Sequence, residues 1–119
     1  LPVSAPFHCS LMQPAADVMA AELEKVEVRE PAVPVVANVL AEPISDPQEI
    51  KKRLVEQVTG TVRWRECVQK MGALGVTDFY EIGAGKVLSG LVKRILKDAN
   101  AMSVGTPADI DAALAALGR

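Results

Sequence analysis

Phe79-Tyr80-Glu81-Ile82, running into Gly83-Ala84-Gly85-Lys86 and then Val87-Leu88-Ser89-Gly90-Leu91-Val92, is the stretch that decides the fold. Its first four residues suit a strand, and its glycines suit a tight turn. Leu88, Leu91, Val92 and Ile95 then recur at helical spacing. Ala101-Met102-Ser103-Val104 supplies a further strand on the far side of that helix. Strand, helix, strand in this order is the signature of a parallel pair joined by a crossover helix.

The same alternation extends outward. Thr106-Pro107-Ala108-Asp109 places a cap, a proline at the first helical position and an acid three residues on. A last helix with Ile110, Ala113, Leu114 and Leu117 follows. Upstream, Asp46-Pro47-Gln48-Glu49 carries the same signal before a helix whose buried face is Ile50, Leu54 and Val58, stopped at Gly60. A helix from about Arg63 to Ala73 sets Trp64, Cys67, Val68 and Met71 on one side, and Gly75 closes it. Val35-Val36-Ala37-Asn38-Val39 suits a short buried strand. Met12, Ala15, Ala16, Met19, Leu23 and Val26 mark a first helix from about Ser10 to Lys25, with Pro14 tolerated in its opening turn. The expectation is an α/β chain of about three strands and five helices, its parallel sheet covered on both faces. Three strands make a narrow sheet with edges to cover, so further strands are expected from outside this stretch.

Composition narrows the function. The chain has 119 residues, enough for one domain, and 50% of them are hydrophobic against 3% aromatic, so the core is aliphatic. A net charge of −2 offers no basic field for nucleic acid. The apolar run Val33 to Ala41 is too short to span a bilayer and contains Pro34 and Asn38. Cys9 and Cys67 lack any framework spacing, which reads as reduced, cytoplasmic cysteine usage. The chain opens with Leu1 rather than Met and has no charged leader, which reads as a piece of a longer polypeptide.

His8 is the one histidine. Near a helix start such a residue is either structural or a proton carrier, and imidazole is the side chain suited to proton transfer near neutral pH. Cys9 is a poor partner for it, since adjacent residues on a helix diverge, and both cysteines read as small core residues. A single histidine cannot furnish a catalytic zinc site with these cysteines, so no metal is expected. Gly83-Ala84-Gly85-Lys86 fails the dinucleotide fingerprint at Leu88 and the phosphate-loop pattern at Val87, which leaves a tight turn. Lys86, Lys93, Arg94 and Lys97 form a modest basic face, either merely solvated or suited to an acidic carrier protein or a CoA phosphate.

The order of several segments resembles the carboxyl-terminal third of the bacterial malonyl-CoA:acyl-carrier-protein transacylases of fatty-acid synthesis. They are Leu1-Pro2-Val3-Ser4-Ala5-Pro6-Phe7-His8-Cys9 with Leu11-Met12, Pro34 to Val39, Leu54-Val55-Glu56-Gln57, Val62-Arg63-Trp64, and Glu81 to Leu91. The resemblance implies a hydrolase-like large subdomain, of which residues 1–119 form the carboxyl-terminal part. It also implies that His8 accepts the proton of a serine nucleophile and returns it to the leaving thiol, and that the backbone carbonyl of Gln57 orients its ring. Phe7 falls where a large side chain accompanies malonyl rather than methylmalonyl selection. Malonyl-CoA and acyl carrier protein are the implied partners, with no cofactor, since a thioester is already activated.

Departures are Ala84, where the family turn reads Gly-Pro-Gly, and Gly60-Thr61, where Asn-Pro is common. The nucleophile elbow Gly-His-Ser-x-Gly is not in these residues. Nor are the carboxylate-binding arginine, the oxyanion donors and the small ferredoxin-like subdomain, which the resemblance assigns to an amino-terminal remainder. An acyltransferase domain of a polyketide synthase is a neighbouring reading, and a non-catalytic interaction domain is the rival from another class.

Overall fold

Asp46 and Thr106 start two helices in the way their sequences demand. The Asp46 carboxylate accepts the Glu49 amide at 2.9 Å, and α2 runs from Pro47 to Thr59. Thr106 and Asp109 form a reciprocal capping box ahead of α5, Pro107–Ala116. A computed structural model describes residues 5–119; Leu1-Pro2-Val3-Ser4 of the first matching segment lie outside the described residues. The chain divides into two compact units, one up to Cys67 and one from Val68 to Arg119, and the division falls within α3, Trp64–Ala73.

In the first unit a turn of 3-10 helix, Ser10–Met12, leads into α1, Gln13–Glu24, with Pro14 in its opening turn. α1 packs on α2, burying Ala16 and Ile50. The strand expected over Val35 to Val39 is shorter: β1 is Val35–Val36 and pairs antiparallel with β2, Pro43–Ile44, outside the parallel sheet. The reason is the destination of the backbone groups. The amides of Leu40 and Ala41 turn back onto the Ala37 carbonyl at 3.1 and 2.9 Å. The Asn38 carbonyl is taken by the Arg63 amide at 2.8 Å, and that of Leu40 by the Arg63 guanidinium at 3.1 Å. Asn38 is a turn former, and the pull of two valines does not carry the ladder past it.

The second unit holds the parallel pair. β3, Asp78–Ile82, and β4, Asn100–Val104, align Asp78 with Asn100 through Ile82 with Val104. α4, Val87–Ile95, is the crossover between them. Among the described residues the parallel sheet therefore has these two strands. Gly75, at φ +93, ends α3: its amide bonds to the Gly72 carbonyl, and that of Val76 bonds to the Met71 carbonyl. This is the left-handed helix stop that glycine provides without a Cβ penalty. The buried side chains are small and aliphatic, among them Val68, Val92, Val104 and Ala113, as the low aromatic content requires.

Candidate active site

The loop before the 3-10 turn is held tightly. The Phe7 amide donates to the Ala5 carbonyl at 3.0 Å, and the Cys9 thiol donates to the Pro6 carbonyl at 3.0 Å. Between them His8 has φ +57, the left-handed region that costs a residue with a Cβ roughly 1–2 kcal/mol. Strain of this sort persists only where the surroundings impose it.

The ring of His8 shows what it is held for. Its Nδ1 lies 2.7 Å from the carbonyl oxygen of Gln57. A carbonyl has no proton to give, so Nδ1 carries the hydrogen and Nε2 keeps a free lone pair in the neutral ring. Gln57 sits in the last turn of α2, where carbonyls have no amide farther along the helix to accept from. The helix end also concentrates partial negative charge, which suits a ring that becomes cationic when it takes a proton. The side chains of Phe7 and His8 are exposed, with Phe7 57% accessible, so the ring faces open space rather than packing. The structure thus brings His8, Gln57 and Phe7 into one neighbourhood.

Other sequence candidates lie elsewhere or are already engaged. The Cys9 thiol donates its hydrogen bond to the Pro6 carbonyl rather than to His8. Cys67 is buried, and desolvation raises its thiol above the ordinary range. Among the described residues no cluster of three His, Cys, Asp or Glu side chains could hold a metal ion. Gly83 and Gly85 have φ +133 and +97, as a tight turn requires, and a Cβ on Gly105 would lie 2.9 Å from the Gly83 carbonyl oxygen.

The amino end of α4 is not free for phosphate. The Glu81 carboxylate accepts the amides of Leu88 at 3.2 Å and Ser89 at 2.8 Å, and the Ser89 hydroxyl at 2.7 Å. The amide of Ser89, then its hydroxyl, hold this carboxyl below the usual carboxylate range. Ser103 completes the network 2.9 Å from the Ser89 oxygen. Sequence reasoning missed this cap because it comes from the strand six residues before the helix instead of from the residue that precedes it. Of the basic face, Lys86 and Lys93 line a groove with Ser89, Ser103 and Asp109. The amide of Gly105 foremost holds the Asp109 carboxyl low.

No protein-family model matches the chain. The malonyl CoA-acyl carrier protein transacylase of Salmonella typhimurium is 46% identical over 114 residues, 96% of this chain and 37% of that protein. The solved acyl-carrier-protein-S-malonyltransferase of Bartonella henselae aligns with a TM-score of 0.91 at 55% identity, covering 100% of this chain and 38% of its own. A malonyl-transacylase solved in complex with a type II PKS acyl-carrier protein gives a TM-score of 0.85 at 42% identity, over 98% of this chain and 38% of its own. By sequence and by backbone alike, this chain matches the malonyl CoA-acyl carrier protein transacylases, as a segment that spans about 37% of the length of the curated relatives.

Proposed function

We propose that these residues are the carboxyl-terminal part of an acyltransferase that moves malonyl from CoA to the phosphopantetheine thiol of acyl carrier protein in fatty-acid synthesis. The observation that carries this is the 2.7 Å bond from His8 Nδ1 to the Gln57 carbonyl, which leaves Nε2 as a proton acceptor beside open space. The matches to malonyl transacylases supply the substrate class.

The chemistry runs in two like halves. A serine from the amino-terminal remainder gives its proton to Nε2 as its oxygen attacks the malonyl thioester carbon. The tetrahedral intermediate collapses, the carbon–sulfur bond breaks, and the CoA sulfur leaves with the proton from Nε2. In the second half the carrier thiol gives its proton to Nε2, attacks the seryl ester, and the serine oxygen recovers the proton. Gln57 supplies the orienting acceptor that a carboxylate supplies in a hydrolase triad. Exclusion of water protects the ester. No metal or redox cofactor enters these steps, and the cytoplasm, where malonyl-CoA and carrier protein meet, is the compartment that suits them. Among the described residues no helix is long and apolar enough to cross a membrane.

The complex with a type II PKS carrier supports a second reading, in which the acceptor belongs to polyketide synthesis. Transfer rates to the two kinds of carrier protein separate these. His8→Ala in the full-length enzyme is expected to lower transfer by about 10³-fold or more, as loss of a general base does. Near-normal transfer by that variant overturns the assignment. Failure of the full-length protein to form a seryl-malonyl adduct, read by mass after denaturation, favours a non-catalytic interaction domain instead.

A further inference from the structure

We propose that Cys9 is a positioning residue for His8, its thiol hydrogen bond to Pro6 holding the left-handed backbone that aims the imidazole; this rests on the transferase reading above. His8 at φ +57 needs both its flanks fixed. On the amino side, Pro6 has its own φ locked by the pyrrolidine ring, and the Phe7 amide is tied to the Ala5 carbonyl. On the other side, Cys9 is extended at φ −143, ψ 174, and its carbonyl accepts the Met12 amide at 3.0 Å as the 3-10 turn begins.

The thiol reaches back across Phe7 and His8 to the Pro6 carbonyl at 3.0 Å and so joins the two fixed ends. Without that donor, Pro6 is free to turn its carbonyl to water and His8 is free to relax to negative φ. The relaxation swings the ring away from the Gln57 carbonyl. In this bond the Cys9 Sγ–H acts as the donor, a role distinct from that of a nucleophile or a metal ligand and one that a serine hydroxyl is able to fill.

The test compares Cys9→Ala, Cys9→Val and Cys9→Ser in the full-length enzyme, reading transfer kinetics together with the Nδ1–H proton resonance of His8, identified by its loss in His8→Ala. The donor-free Ala and Val variants are expected to lose about ten-fold in kcat with KM for malonyl-CoA unchanged, within what an ångström of misplacement costs. Their Nδ1–H signal exchanges faster, whereas Cys9→Ser keeps the signal and stays within about three-fold of the wild-type rate. Wild-type kinetics and exchange in both donor-free variants overturn the proposal. So does a Ser variant as damaged as Ala and Val, since packing and not donation is then at work. Should His8→Ala leave transfer intact, the transferase reading fails by itself, and the exchange measurement still decides the Cys9 bond.

Discussion

The imidazole of His8 is aimed from two sides: strained backbone fixes its root, and an orphan helix carbonyl fixes its tautomer. Phe7 is exposed beside it. Under the proposed function, Phe7→Ala should raise the rate of methylmalonyl relative to malonyl transfer by about ten-fold, the discrimination a pocket draws from one methyl group. An unchanged ratio in a competition assay removes Phe7 from selectivity. Glu81 gives a prediction independent of catalysis. Its folded carboxyl is held low by Ser89 and Leu88, so its contribution to stability is present above the ordinary carboxylate value, about 4.3, and is lost as pH falls through the lower folded value. Glu81→Gln should therefore melt lower at neutral pH and lose melting temperature less steeply on acidification. Parallel acid slopes for the two proteins count against the cap.

The helix α2 links stability to the site because one of its last carbonyls is the His8 partner. It starts at an aspartate cap and ends at Gly60, whose amide bonds to the Glu56 carbonyl at 2.9 Å. A Cβ on Gly60 would meet Val39 Cγ2 at 2.7 Å and the Glu56 carbonyl oxygen at 3.0 Å. Gly60→Ala is thus expected to destabilise by about 1–3 kcal/mol, the cost of overpacking, measured by urea unfolding. It should also shift the Gln57 carbonyl and lower transfer, whereas a variant as stable and active as wild type shows that Val39 gives way freely. Capping signals at Asp46 and Thr106 were legible because they are local. Strand extent over Val35 to Val39 was not, because Arg63, 25 residues on from Asn38, claims the carbonyls a ladder would need.

Each of the two units keeps large apolar side chains in the open, Leu11 and Val33 in the first, Ile82 and Val87 in the second. The chain spans 37% of the length of the Salmonella relative, and the serine elbow that the proposed reaction needs is not among these 119 residues. The isolated chain is therefore expected to transfer no malonyl and to gain no malonyl mass on incubation with malonyl-CoA, while the full-length protein does both. A malonyl adduct on the isolated chain would place the nucleophile within these residues and undo the division of labour proposed above.

Local chemistry settled much of this protein in advance. Cap, proline and acid at fixed offsets specify α2 and α5, glycines specify the turn after β3, and aliphatic spacing specifies the α/β alternation. Such signals act within a few residues, so a linear sequence carries them whole. The reach of Glu81 to a helix it does not adjoin and the shortening of β1 came only with the tertiary structure, whereas the pairing of His8 with Gln57 across 49 residues was implied by the family resemblance and by no local signal. Each depends on which distant donor finds which free acceptor, and a buried or terminal carbonyl takes the partner that packing delivers, whatever the spacing along the chain.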